Sequence, residues 1–185
     1  MEYTQVKSYS PIFIGKYPFH QKLKDELVPI LEEYPDHMGR KTNVKADHTE
    51  WDWMPENSQV KELKRCIFAE IDTYYRIKAI SFARPPELEM DNFWGMVYNK
   101  GDYTQSHHHL PYHLYSFAYF LKSKWYHPSL IFTDSGKRIR SKEGSYVIFP
   151  SYLKHYVPKH RFDETRITLS GNVNYKGLTF DDGVR

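Results

Sequence analysis

Ten histidines stand among 185 residues, and seven of them fall between His107 and His160. Within Gly101-Asp102-Tyr103-Thr104-Gln105-Ser106-His107-His108-His109, the flanking residues favour a strand. Residues i and i+2 of a strand point to one face, so His107 and His109 share a side and His108 faces away. Two imidazoles at that spacing can occupy adjacent corners of one metal. A third ligand must then come from another strand. His155 is the best candidate, because it follows the β-rich run Ser145–Phe149 after a short turn. Imidazole suits iron, zinc, copper or nickel, and three protein ligands leave open positions for chemistry. A surface histidine tract is the bland alternative, but such tracts do not come with a matched histidine in a second strand.

The elements that must position these residues can be read from the same sequence. Pro11–Tyr17 alternates as a strand. Leu23, Leu27, Ile30 and Leu31 have helical spacing, with Pro29 expected to kink or end the helix. Asn43–Asn57 has no period and reads as a packed loop. Asn57 or Ser58 can cap a second helix, whose face is Val60, Leu63, Ile67, Ile71 and Tyr74, running to about Ile77. Arg84-Pro85-Pro86 breaks whatever follows. Beyond residue 88, seven short β-rich runs alternate with turn chemistry: Asn92–Tyr98, Tyr103–His109, Leu114–Leu121, Ser129–Phe132, Ser145–Phe149, His155–Val157 and Arg166–Val173. The expected class is α+β: a β-sandwich or small barrel at about 90–175, with helices of a buttress at about 16–85 packed outside one sheet, in a single domain spanning 1–185.

Composition narrows the remaining classes. The 17% aromatic content argues against disorder. Apolar runs are far shorter than the roughly 18 residues of a membrane helix, and the N-terminus does not read as a signal peptide. One cysteine, Cys66, excludes an internal disulfide or a cysteine cage, so the cytoplasm is the simplest compartment. A net charge of +3 is no nucleic-acid signal; the basic run Lys137, Arg138, Arg140, Lys142 reads as a solvated turn or hairpin, with contact to an acidic partner as the lesser reading.

Three motifs together resemble a family of 2-oxoglutarate/Fe(II)-dependent oxygenases, prolyl-hydroxylase-like and of phage and bacterial type. They are Trp94-Gly95-Met96-Val97-Tyr98-Asn99-Lys100-Gly101-Asp102-Tyr103 leading to His107-His108-His109; Glu143–His155 with its Phe149-Pro150-Ser151 step; and Arg166-Ile167-Thr168-Leu169-Ser170-Gly171-Asn172. They cover about 80 residues in the right order. The resemblance implies a double-stranded β-helix (jelly-roll) core. It implies Fe(II) on His107, His109 and His155, with 2-oxoglutarate chelating the metal. Arg166, 11 residues after His155, would receive the distal carboxylate, helped by Thr168. Tyr98, Tyr103, Ser116 and Asn172 are further cofactor-side candidates, Trp94 is expected in the core, and Lys122–His127 is a candidate substrate rim. The reaction implied is hydroxylation of a primary substrate by O₂, with succinate and CO₂ as co-products; the substrate and any homodimer stay open, and a phage protein would work in the host cytoplasm.

Two departures stand out. His109 stands where most such oxygenases have a carboxylate, although the resembling family also shows His-x-His, and Leu110 intervenes before the Pro111 that the family has directly after the second histidine. Pairings through His108 or His113 therefore stay open, while Asp102 falls on the opposite strand face. Two other readings compete. A cupin-type metalloprotein without 2-oxoglutarate would use Gly101 with His107 and His109, then Gly144, Pro150 and His155. A non-catalytic jelly-roll binding module would carry the histidines incidentally. The orientation of Arg166 separates these readings: only an oxygenase needs it aimed at the metal.

Overall fold

A computed structural model describes residues 9–78 and 87–177. Arg84-Pro85-Pro86 lies outside the described residues. Among the described residues there are eleven strands and two helices: β1 (Phe13–Lys16), α1 (His20–Glu33), β2 (Val44–Lys45), β3 (Asp47–His48), α2 (Ser58–Lys78), β4 (Leu88–Tyr98), β5 (Tyr103–His107), β6 (Tyr115–Lys122), β7 (Leu130–Phe132), β8 (Arg138–Ile139), β9 (Ser145–Pro150), β10 (His155–Val157) and β11 (Arg166–Tyr175). Six form one antiparallel sheet in the order β1-β9-β6-β11-β4-β3, and five form another in the order β2-β5-β10-β7-β8. This is a double-stranded β-helix, or jelly roll, with the helices outside the larger sheet.

Strand alternation explains the layering. On the larger sheet, Phe93, Val97, Phe117, Tyr119, Leu121, Ile148, Ile167, Leu169 and Val173 pack with Leu23, Leu27 and Leu31 of α1 and Val60, Leu63, Ile67 and Ile71 of α2. The helical residues recur every three or four positions, which gives each helix one apolar stripe. Full burial of each such Leu or Ile is worth about 1.5–3 kcal/mol. The intervening residues, Trp94, Met96, Tyr98, Ala118, Phe120, Val147 and Phe149, face the smaller sheet and meet Val44, Leu130, Phe132, Ile139 and Val157. Gly95 is required where α1 approaches β4, since a Cβ there would stand 2.4 Å from Leu31 Cδ2. Gly101 turns the chain from β4 into β5 at φ +100°, a conformation that costs glycine little.

Three local expectations are corrected. Asn43–Asn57 is not all loop: β2 and β3 add one strand to each sheet. Pro29 does not end α1, which continues to Glu33. Pro29 and Asp25, whose carbonyl loses its partner, are both on the exposed face, where water can take that carbonyl. The strand read as Tyr103–His109 stops at His107. The cap on α2 is Asn57, whose Oδ1 accepts from the N–H groups of Gln59 and Val60 at 2.8 and 3.0 Å.

Candidate metal centre and anion pocket

β5 and β10 pair antiparallel, with His155 opposite His107 and Val157 opposite Thr104. Between these pairs β5 holds one residue more than β10, a bulge. A bulge re-aims side chains, and here Thr104 and His107, three positions apart, both line the cavity between the sheets. His109 lies just past the strand, where its N–H donates to the Ser151 carbonyl at 2.9 Å. The turn after β9 thus anchors His109 and delivers His155.

The three imidazoles converge. One ligand nitrogen from each of His107, His109 and His155 lies within 4.8 Å of the others. The tautomers are fixed for two of them. His107 Nδ1–H donates to the Gln105 carbonyl at 2.8 Å, and His155 Nδ1–H donates to the Leu153 carbonyl at 2.9 Å. Both Nε2 lone pairs are left free for a cation, the arrangement that supporting hydrogen bonds give a metal-binding histidine. Burial also keeps the rings neutral. It pushes His109, beside His155 and His107, down to about 2, and His155 down to about 3; His107 is lowered for the same reason. Neutral nitrogens that cannot take a proton at ordinary pH are good metal ligands.

The other histidines of this stretch are elsewhere. His108 is exposed, and its Nδ1 accepts from the Leu110 N–H at 3.2 Å. His113 lies 2.7 Å from Asp91 and is outside the convergent trio. Asp102 is turned away from the cavity, ion-paired with Arg40 and accepting the Asn99 N–H at 2.8 Å.

Arg166, Thr168 and Ser170 alternate along β11 and line the same cavity as the histidines. The cavity measures about 40 Å³, on a scale where one water needs roughly 10–15 Å³. Arg166 is 1% exposed, and no acidic side chain pairs with it among the described residues. Its Nε and Nη2 reach Ser141 Oγ at 3.4 and 3.3 Å, and its guanidinium carbon lies 4.7 Å from the centre of the Tyr98 ring. Nη1 has no partner, and neither does Thr168 Oγ1. Burial pulls the guanidinium below its usual range. An unpaired buried cation is expensive, so this end of the cavity is built for an anion.

The remaining candidates are distributed as follows. Tyr98 lines the cavity, its hydroxyl 2.7 Å from Thr104 Oγ1. Ser116 also lines it, donating to Asn172 Oδ1 at 2.7 Å. Asn172 is not in the lining: it sits behind Ser116, and its Nδ2 donates to Asn92 Oδ1 at 2.8 Å. Tyr103 lies in a groove on the outer side of the smaller sheet, and no residue of Lys122–His127 lines the cavity. Trp94, expected in the core, is there but also lines the cavity; its ring centre is 6.3 Å from that of His109, and its buried Nε1–H has no acceptor. Sequence reasoning missed this donor, as it missed Ser141. Nothing in the basic run around Ser141 marks that hydroxyl as the prop of a buried guanidinium.

No family model and no curated protein matches the sequence. Solved structures do. A viral collagen prolyl hydroxylase from Paramecium bursaria Chlorella virus-1, in complex with 2-oxoglutarate, is 12% identical with a TM-score of 0.65, covering 88% of this chain and 94% of that one. A Pseudomonas putida prolyl-4-hydroxylase is 14% identical with a TM-score of 0.64, covering 90% and 93%. HygX from Streptomyces hygroscopicus, with nickel and 2-oxoglutarate bound, is 8% identical with a TM-score of 0.58, covering 92% and 85%. At these identities the likeness is one of fold.

Proposed function

We propose that the chain is an Fe(II)- and 2-oxoglutarate-dependent dioxygenase that hydroxylates a primary substrate, releasing succinate and CO₂. The observation that carries this reading is the pairing, in one cavity, of three convergent neutral histidines with a buried guanidinium that lacks an anion. His107, His109 and His155 would hold the metal through their free nitrogens. The metal, when bound, would supply the redox chemistry that lets O₂ and 2-oxoglutarate react. Structural neighbours that carry 2-oxoglutarate, and in one case nickel as well, support the same assignment.

The chain's own residues would do the positioning. Arg166 offers a planar fork to the distal carboxylate, and the unpartnered Nη1 is the donor left over after Ser141. Thr168, two residues along β11, would give its hydroxyl to the same carboxylate. Tyr98 shields the guanidinium from solvent and strengthens its field. Ser116, held by Asn172, would fix a polar point midway along the cavity. The apolar walls Met96, Ala118, Leu130 and Phe149 exclude water from the reacting end.

A cupin-type metalloprotein that does not use 2-oxoglutarate would gain nothing from burying Arg166 without an acid. An incidental histidine tract would not bring the nitrogens of two half-buried rings and one buried ring together. The deciding experiment is calorimetric titration of the Mn(II)-loaded protein with 2-oxoglutarate. Saturable binding near one equivalent, weakened about 30-fold in Arg166→Met, is expected. Metal binding without any 2-oxoglutarate binding would leave the cupin reading in its place.

A further inference from the structure

The cations of the basic run, Lys137, Arg138, Arg140 and Lys142, have no part in the cavity. They line a groove of about 420 Å³ together with β1: Lys16, Lys137, Arg138, Arg140 and Lys142 all open into it, and no carboxylate does. All five cations are exposed, and none has an acidic partner among the described residues. The nearby Glu143 is engaged by Lys24 at 2.7 Å and by the Ser123 N–H at 2.8 Å.

The groove also joins two strand edges. Among the described residues, β1 ends the larger sheet and β8 ends the smaller one. The Tyr17 N–H donates to the Gly144 carbonyl at 2.9 Å. Counting back by twos along this antiparallel ladder makes Gly15 and Phe13 the hydrogen-bonded partners of Tyr146 and Ile148. Ile14 and Lys16 therefore turn their N–H and C=O groups away from β9, to the outer edge of the strand that borders the groove. Ile14 is also 60% exposed. A free edge of this kind is a template for another strand.

We infer that this groove binds an extended acidic peptide segment, which adds a strand to β1 and sets its carboxylates against the cations of β8 and its flanks. A second copy pairing through the same groove does not fit, because five cations would oppose five. A nucleic acid matches the charge but not the edge: its phosphates can accept from the outward N–H groups, yet they would repel the outward carbonyls of Ile14 and Lys16. A peptide backbone satisfies both and places alternate apolar side chains on Ile14.

The test uses the full chain and a fluorescein-labelled alternating Glu-Val octapeptide, read by fluorescence anisotropy. Binding is expected to weaken as salt rises from about 0.05 to about 0.5 M. It should weaken by about tenfold or more in Arg138→Glu/Arg140→Glu, a double change on exposed side chains at the rim. The same peptide with alternate backbone nitrogens methylated should lose binding to a similar degree. Metal affinity at the histidines, measured in parallel, should be unchanged in the double variant. Three results would each overturn the inference: no binding of the acidic peptide, equal binding of the N-methylated peptide, or tighter binding of an oligothymidylate of equal charge.

Discussion

His107, His109 and His155 have ring centres 4.3–5.3 Å apart, and on the Arg166 side of the molecule His127 and His160 lie as close, at 4.7 Å. Both sets are shielded, yet only the first converges as a cation site among the described residues. The difference lies in the protons. His107 and His155 each give their Nδ1–H to a carbonyl two residues back, so both present a bare Nε2. His127 instead accepts the Lys124 N–H at Nδ1, at 3.2 Å, which puts its proton on Nε2; His160 donates Nε2–H to the Glu164 carbonyl at 2.7 Å, which bares Nδ1. The pair therefore offers one donor and one acceptor. Proximity of imidazoles does not make a metal site; the backbone carbonyls that sort their tautomers do.

The largest effect should come from breaking the trio. His155→Ala is expected to lower Mn(II) or Co(II) affinity by more than about 100-fold, beyond the 10- to 100-fold usual for losing a supporting partner. His127→Gln should leave it unchanged. Equal losses in a metal titration would erase the distinction between the two sets.

The pair should report on stability instead. Burial, with His160 and Arg166 beside it, pushes His127 down to about 4 from the ordinary value near 6.5. Between those values the unfolded chain binds more protons than the folded one, so stability rises with pH. The full contribution is present above about 6.5 and is lost as pH falls towards 4, on the order of 3 kcal/mol. The metal histidines titrate downward as well, so the comparison is a difference. Urea midpoints of the wild type and His127→Gln, taken from pH 7 to 4, should show a shallower slope in the variant. Parallel slopes would mean that His127 is already charged in the folded protein.

How much of this was legible in the sequence depended on whether a feature followed a period. His107, His109 and His155 could be read from residue type and spacing; Arg166 was marked by the family resemblance, and strand parity added only Thr168, because β11 is regular through its first half. The bulge in β5 could not be read, since one extra residue leaves no trace in the hydrophobic pattern; alternation from Thr104 alone would turn His107 away. β2 and β3 are two residues each, too short to show a period. The role of Ser141 depends on a contact across 25 positions, and Trp94 looked like core because an indole is mostly apolar.

Arg166 sharpens the comparison from between the two sets, since its charge helps to keep His127 neutral. Arg166→Met removes a buried cation without an acid and leaves a side chain of similar length. 2-Oxoglutarate affinity of the Mn(II)-loaded protein should fall by about 2 kcal/mol, the worth of hydrogen bonds to a charged group. The urea midpoint without 2-oxoglutarate should hold or rise, because replacing a buried charge with apolar volume is often neutral or stabilising. A large loss of stability would mean that Ser141 and the rings of Tyr98 and Phe120 already satisfy the guanidinium.

The smallest effect tests whether the histidine end, too, keeps a donor in reserve. Trp94 Nε1–H is buried without an acceptor and its ring neighbours that of His109. Trp94→Phe keeps the edge-on ring contact with Trp51, at 4.7 Å, in reduced form and deletes the donor. An unsatisfied buried donor costs about 1–3 kcal/mol, which offsets part of the packing lost with the smaller ring. The net change in Tm without ligands should therefore be slight. The additional rise in Tm given by Mn(II) and 2-oxoglutarate together should shrink, by the equivalent of about 1 kcal/mol, if the indole donates to what binds beside His109. An undiminished rise would make Trp94 a wall of the cavity and would leave Arg166 and Thr168 as the donors that the cavity holds open.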